Sequence, residues 1–155
     1  MGIEIERKFL VKKELWLALE KPEGTHYRQG YFMNMHDRVL RIRIAGDQGF
    51  ITIKGAAEGI SRLEYEYQIP KADAEEMLNK FQPEGTEKIR YRIPEGNGAV
   101  WEVDEFLGAN KGLIVAEIEL NSEDQQFLRP EWLDKEVTSD ERYANSNLAL
   151  RPIQS

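Results

Sequence analysis

The 155 residues are enough for one domain with a substantial core, and 41% apolar against 32% charged residues is a soluble mix carrying a heavy charge load. The absence of cysteine excludes disulfides, thiolate chemistry and zinc–sulfur sites, and a net charge of −7 argues against general nucleic-acid binding. No apolar run approaches a membrane span and the N-terminus lacks the apolar centre of a signal peptide, so a cytoplasmic location without a membrane partner is expected.

Alternation of period two dominates the chain and predicts strands over roughly 2–12, 26–34, 38–46, 49–55, 61–69, 86–93, 99–106 and 113–120. In the first, Glu4, Glu6 and Lys8 share one face while Ile3, Ile5, Phe9 and Val11 share the other. A short helix follows near Lys13–Leu19. In 38–46, Arg41 and Arg43 oppose Leu40, Ile42 and Ile44, and AGDQG (45–49) is a hairpin turn into a strand where Lys54 faces away from Ile51 and Ile53. In 61–69, Glu64 and Glu66 oppose Leu63, Tyr65 and Tyr67. Pro70 ends that strand, and a helix over 71–81 shows an apolar stripe of Ala74, Met77, Leu78 and Phe81.

Lys88, Arg90 and Arg92 then oppose Ile89, Tyr91 and Ile93, with PEGNG (94–98) a second hairpin turn. Glu102 and Asp104 oppose Trp101 and Val103, and Glu117 and Glu119 oppose Ala116, Ile118 and Leu120. Ser122 with Gln125, and Thr138 with Glu141, stand at capping-box spacing and predict helix starts, the second opening a C-terminal helix around Ser139–Leu150. With no linker or internal repeat, the chain reads as a single domain over 1–155, of α+β type.

On any one strand a charged face is the ordinary wet side of an antiparallel sheet. Over seven strands that reading weakens, because each strand carries mostly one sign: acidic at 64/66, 102/104 and 117/119, basic at 41/43 and 88/90/92. Same-sign neighbours repel and bring no stability of their own, so something external must offset them. Divalent Mg²⁺ or Mn²⁺ would offset the carboxylates, and a phosphate chain would offset the Arg and Lys rows through charge-assisted hydrogen bonds. About eight strands curled with the charged face inward would meet both needs in one barrel cavity. The outer strand faces are too apolar for three short helices to cover, which points to a homodimer.

The remaining features have plainer readings. His26 and His36 have no second His or Cys beside them in the sequence, against a histidine metal site. Trp16, Trp101 and Trp132 read as packing residues, and neither Gly-rich turn leads into a helix as a phosphate loop would.

The opening EIERKFLV, with Glu4, Glu6 and Lys8 as ExExK, resembles the CYTH superfamily, the triphosphate tunnel metalloenzymes. VLRIRI (39–44), TIKG (52–55), LEYEYQI (63–69), EKIRYRI (87–93), WEVDEF (101–106), VAEIEL (115–120) and VTSDERYANSNLA (137–149) extend the likeness in order over nearly the whole chain. The resemblance implies an eight-stranded antiparallel tunnel binding a triphosphate-containing small molecule and one or two Mg²⁺ or Mn²⁺ ions. It places Glu4, Glu6, Glu64, Glu66, Glu117 and Glu119 in the metal set, with Glu102 and Asp104 on the matching face. Lys8, Arg41, Arg43, Lys54, Lys88 and Arg90 would hold phosphates, with Arg28 and Arg92 as further contacts and Arg142 reaching a tunnel mouth.

Glu4, Glu6 and Lys8 are the expected catalytic residues, a metal-bound glutamate and Lys8 both being candidates for the group that takes a proton from water. The expected reaction is hydrolysis of inorganic triphosphate to pyrophosphate and phosphate. The same scaffold also supports a class IV-type adenylate cyclase or a thiamine triphosphatase, each of which needs a pocket for its organic group. A non-enzymatic polyphosphate- or nucleotide-binding module would need the basic face but not so many carboxylates.

Overall fold

A computed structural model describes residues 2–153. The chain runs β1 (Ile3–Val11), α1 (Lys13–Ala18), β2 (Thr25–Met35), β3 (Arg38–Ala45), β4 (Gln48–Glu58), β5 (Ser61–Ile69), α2 (Lys71–Phe81), β6 (Glu84–Pro94), β7 (Val100–Phe106), β8 (Ile114–Glu119), β9 (Leu133–Glu136) and α3 (Asn145–Leu150). The strands hydrogen-bond in the order β5-β4-β3-β2-β6-β7-β8-β1-β9, and a further β1–β5 pairing closes the first eight into an antiparallel barrel.

β1 is the closing strand. One edge pairs with β8 from Glu6 to Leu10. Its other edge pairs with β5 only at Ile3, Glu4 and Ile5, and β9 takes over that edge from Phe9 to Val11. No described helix is long and apolar enough to cross a membrane.

The apolar core lies outside the barrel wall, as the alternation requires. Phe9, Trp101, Val103, Ala116 and Ile118 point outward from β1, β7 and β8 and are sealed under Trp16 of α1 and Trp132. The rings meet edge to face, with centroids 5.7 Å apart for Phe9–Trp101 and 5.1 Å for Trp16–Trp132. Each such large side chain contributes about 2–3 kcal/mol on burial, and edge-to-face contact adds somewhat more. A second cluster packs Ala74 and Leu78 of α2 onto Ile42 and Ile44. Gly49 permits that approach, since a Cβ there would sit 3.0 Å from the Cβ of Ala74.

Both Gly-rich turns are hairpins, joining β3 to β4 and β6 to β7. The chain after β8 departs from expectation. No helix starts at Ser122: the Gln125 side chain accepts from the Asn121 amide at 2.6 Å, and the segment runs irregularly to β9. Phe127 is drawn onto the Phe9 and Trp101 rings and the Leu128 amide donates to Glu95, which hold the chain extended.

Thr138 caps no helix either. Its hydroxyl accepts from the Lys8 amide at 3.0 Å, and Asp140 caps a single 3-10 turn at Glu141–Tyr143. The expected C-terminal helix is thus broken at Ala144, and only Asn145–Leu150 is α-helical.

Candidate active site in the barrel

Barrel closure sorts the charges by sign. Around the ring, β8, β1 and β5 are contiguous, and they carry Glu117 and Glu119, Glu4 and Glu6, and Glu64 and Glu66. Opposite them run β3 and β6, with Arg41, Arg43 and Arg90, separated by β2. Strands far apart in sequence therefore make one acidic wall facing one basic wall. Between the walls is a cavity of about 400 Å³ lined by Glu4, Glu6, Lys8, Arg41, Arg43, Lys54, Glu64, Glu66, Arg90, Arg92, Glu102, Glu117 and Glu119.

On the acidic wall, Glu4, Glu64 and Glu119 each bring a carboxylate oxygen within 4.8 Å of the other two. Burial, then the negative charges of Glu117 and Glu4, pushes the Glu6 carboxyl well above the ordinary range. Burial also pushes Glu117 upward, but the charges of Lys8 and Arg90 and a hydrogen bond from Glu6 outweigh it and hold Glu117 well below. Glu6 is therefore the more readily protonated partner of the two. Glu64 and Glu119 are raised by burial and by neighbouring carboxylates, while for Glu4 the charge of Lys54, at 3.0 Å, overrides burial and lowers it. Glu6, Glu64 and Glu119 are thus harder to ionise than an isolated carboxylate, as a wall crowded with like charges requires.

The basic wall is short of anions. Arg41 donates to Thr52 at 3.1 Å and to Glu66 at 3.2 Å through one terminal nitrogen, while its buried Nε has no hydrogen-bond partner among the described residues. Arg43 forms no ion pair among the described residues; its Nε donates to Gln29 at 2.7 Å, and it stacks 4.8 Å from the centre of the Tyr27 ring. Burial, then the positive charges of Arg41 and Arg90, lowers the Arg43 guanidinium to about 10. A buried cationic donor without an acceptor costs free energy until an anion arrives.

Four residues expected at the site are not on its lining. Asp104 and Lys88 point inward but are fully buried below the cavity floor, 2.6 Å apart. Asp104 takes both Arg90 Nε and Nη2 at 2.8 Å, and the Asn145 side chain of α3 takes Lys88 at 2.9 Å. Every Asp104 oxygen is thus engaged by Arg90 or Lys88, and Asp104 supports the basic wall from beneath. Arg28 points outward beside a separate depression of about 220 Å³, because β2 presents Tyr27, Gln29 and Tyr31 inward instead. Arg142 is 71% exposed and bound to Asp140 at 2.6 Å.

Glu102 does line the cavity, but as partner of Arg92 at 2.8 Å and Arg90 at 3.3 Å. The residues not foreseen are Tyr27, Tyr31, Thr52, Arg62 and the Ala144–Asn145–Ser146 segment, all of which line the cavity. Odd-numbered alternation on β2 was a signal for the tyrosines. The segment at the start of α3 carries no period-two signal at all. It is drawn in by the Tyr143 carbonyl accepting from Lys8 Nζ at 3.0 Å and by Asn145 accepting from Lys88 and Gln29.

Comparison with known proteins agrees with this architecture. The CYTH domain family model matches residues 2–151. The chain is 47% identical to an inorganic triphosphatase of Acetivibrio thermocellus over all of this chain and 98% of that protein. It is 39% identical to an inorganic triphosphatase of Nitrosomonas europaea over 95% of this chain and 97% of that one. Among solved structures, an inorganic triphosphatase superposes with a TM-score of 0.67 at 36% identity, over 98% of this chain and 97% of that chain.

Proposed function

The chain belongs to the CYTH family, and from that premise we propose that its barrel hydrolyses inorganic triphosphate to pyrophosphate and phosphate with the help of a divalent cation. The observation that carries the reading is the facing of a crowded carboxylate wall and an anion-deficient arginine wall across one cavity. A simple phosphate receptor has use for the second wall but not for the first. The relatives named above, matched end to end, support triphosphate as the substrate.

The carboxylate cluster fits a hard cation, since Mg²⁺ and Mn²⁺ take oxygen ligands and three such oxygens already converge. Glu4, Glu64 and Glu119 would hold it, with Glu6 and Glu117 beside them. When bound, the cation supplies charge neutralisation of phosphate oxygens and acidification of a coordinated water.

The chain's own residues do the positioning. Arg41, through its free Nε, and Arg43 and Arg90 receive non-bridging phosphate oxygens, with Lys54 and Arg92 at the borders between the walls. Because charge develops on the leaving phosphate oxygens during transfer, guanidinium groups fixed inside the barrel favour the transition state without reorganising. Asp104 and Glu102 set the plane and direction of Arg90. Lys8 is fixed by the Tyr143 carbonyl, with the Glu117 carboxylate 3.9 Å away, which aims its ammonium across the acidic wall.

Phosphate release from tripolyphosphate, measured with Mg²⁺, with Mn²⁺ and with chelator against ATP as comparison, tests the proposal. Metal-dependent release that favours tripolyphosphate is expected. Tight tripolyphosphate binding by folded protein without release under any condition would overturn it in favour of a binding module.

A further inference from the structure

We propose that two copies of this chain pair through the outer face of the β4–β5 hairpin. This pairing is independent of the reaction in the barrel. The outward positions here are Ile53 and Gly55 on β4, Leu63, Tyr65 and Tyr67 on β5, and Ile3 where β1 closes the ring. None of these carries a charge, in a chain whose residues are 32% charged. Ile3 is 67% exposed, Tyr67 61% and Leu63 51%. α2 covers the barrel as far as Ile51 and Ile69 and stops there, while α1 and the segment before β9 cover the opposite side.

The five large side chains expose on the order of 500 Å² of contiguous surface, at the upper end for a monomer's largest apolar patch. Two such patches face to face, with their flanking side chains, bury roughly 1,000–1,200 Å², the lower bound for a specific protein–protein interface.

The shape of the patch fits a second copy. Its rows run Ile51 and Tyr67, then Ile53 and Tyr65, then Gly55 and Leu63. A projecting ring thus stands at one end, and the other end is lowered where Gly55 has no side chain. Leu63 and Tyr67 are about 13 Å apart along the strand. A two-fold axis lying across the strands at Tyr65 sets Tyr67 of each copy over Gly55 and Leu63 of the other. Such an isologous contact closes at two copies and leaves no open edge for further growth. The net charge of −7 repels the copies, so the attraction is apolar and added salt strengthens it.

Sedimentation equilibrium of the full chain from about 1 to 100 µM tests this. The expected mass is twice the 18.0 kDa of one chain at the upper end, with dimer favoured by salt. Leu63→Lys with Tyr67→Lys should give a monomer of unchanged circular dichroism, whereas Leu17→Lys, an equally exposed apolar site on α1, should remain dimeric. Should the double variant fail to fold, Tyr67→Gln alone carries the test and should weaken association at least tenfold. A wild-type chain that is monomeric throughout, or a dimer that survives these substitutions on β5, would overturn the proposal.

Discussion

Asp104 offers the sharpest test of how the basic wall is built. Its carboxylate is fully buried and is the shared counter-charge of Lys88 at 2.6 Å and Arg90 at 2.8 Å. Asp104→Asn keeps the shape but removes the charge and turns one acceptor into a donor facing two cations. Breaking a buried pair from one side costs about 3–5 kcal/mol. For a domain of this size that is a fall in melting temperature of roughly 6–20 °C, at about 2–4 °C per kcal/mol. The fall should depend on pH. Burial, then the neighbouring Arg90 and Arg43, already lowers Lys88 to about 7 against the pull of Asp104.

Between that value and its unfolded pKa near 10.5, the unfolded chain binds a proton that the folded chain does not, so Lys88 makes stability rise with pH across this window. Without Asp104 the lysine loses its proton at still lower pH. The variant's deficit should therefore be larger at pH 6 than at pH 9. Melts of both proteins in chelator at the two pH values decide the matter. A loss of under about 2 °C at pH 6 would refute the counter-charge role of Asp104.

Three further outcomes follow from the same geometry. Arg41→Lys removes the unpartnered Nε but keeps a charge; since charge-assisted hydrogen bonds contribute about 1.5–3 kcal/mol, KM for tripolyphosphate should rise roughly 10- to 100-fold with the fold intact. An unchanged KM would remove Arg41 from the phosphate set. Glu4→Gln should lower kcat by at least about 100-fold in protein that remains folded in chelator; full activity in both Glu4→Gln and Glu6→Gln would refute the metal assignment. Finally, Glu6, Glu64 and Glu119 have raised folded pKa values, so they stabilise the metal-free fold at low pH and lose that contribution as pH rises through those values. Because metal competes with these protons, the rise in melting temperature on adding Mg²⁺ should be larger at pH 9 than at pH 6. An equal rise at both pH values would show that these groups do not hold the ion.

The barrel was legible because charge on one face and bulk on the other alternate through most of β1, β3 and β5–β8. β9 was not, since LDKE is four residues long and owes its pairing to β1 rather than to its own pattern. On β2 the two faces differ less, with Tyr27, Gln29 and Tyr31 against His26, Arg28 and Gly30. There the only charge-bearing candidate, Arg28, pointed to the wrong side, and only the register with Arg41 and Arg43 resolves it. Alternation also reports the side of the wall and not the depth along the axis. Lys88 and Asp104 have the right parity and still lie under the floor, where Asn145 of α3 reaches Lys88. The capping-box spacings at Ser122 and Thr138 failed because Phe127 and the Lys8 amide offered those segments tertiary partners.

The central claim is the division of labour between the two walls, and anomalous diffraction from crystals soaked with Mn²⁺ and a non-hydrolysable triphosphate analogue tests it most directly. Manganese density is expected among Glu4, Glu64 and Glu119, with a phosphate oxygen within hydrogen-bond distance of Arg41 Nε. Manganese bound away from these carboxylates, or an analogue seated outside the barrel with Arg41 Nε still unpartnered, would contradict it.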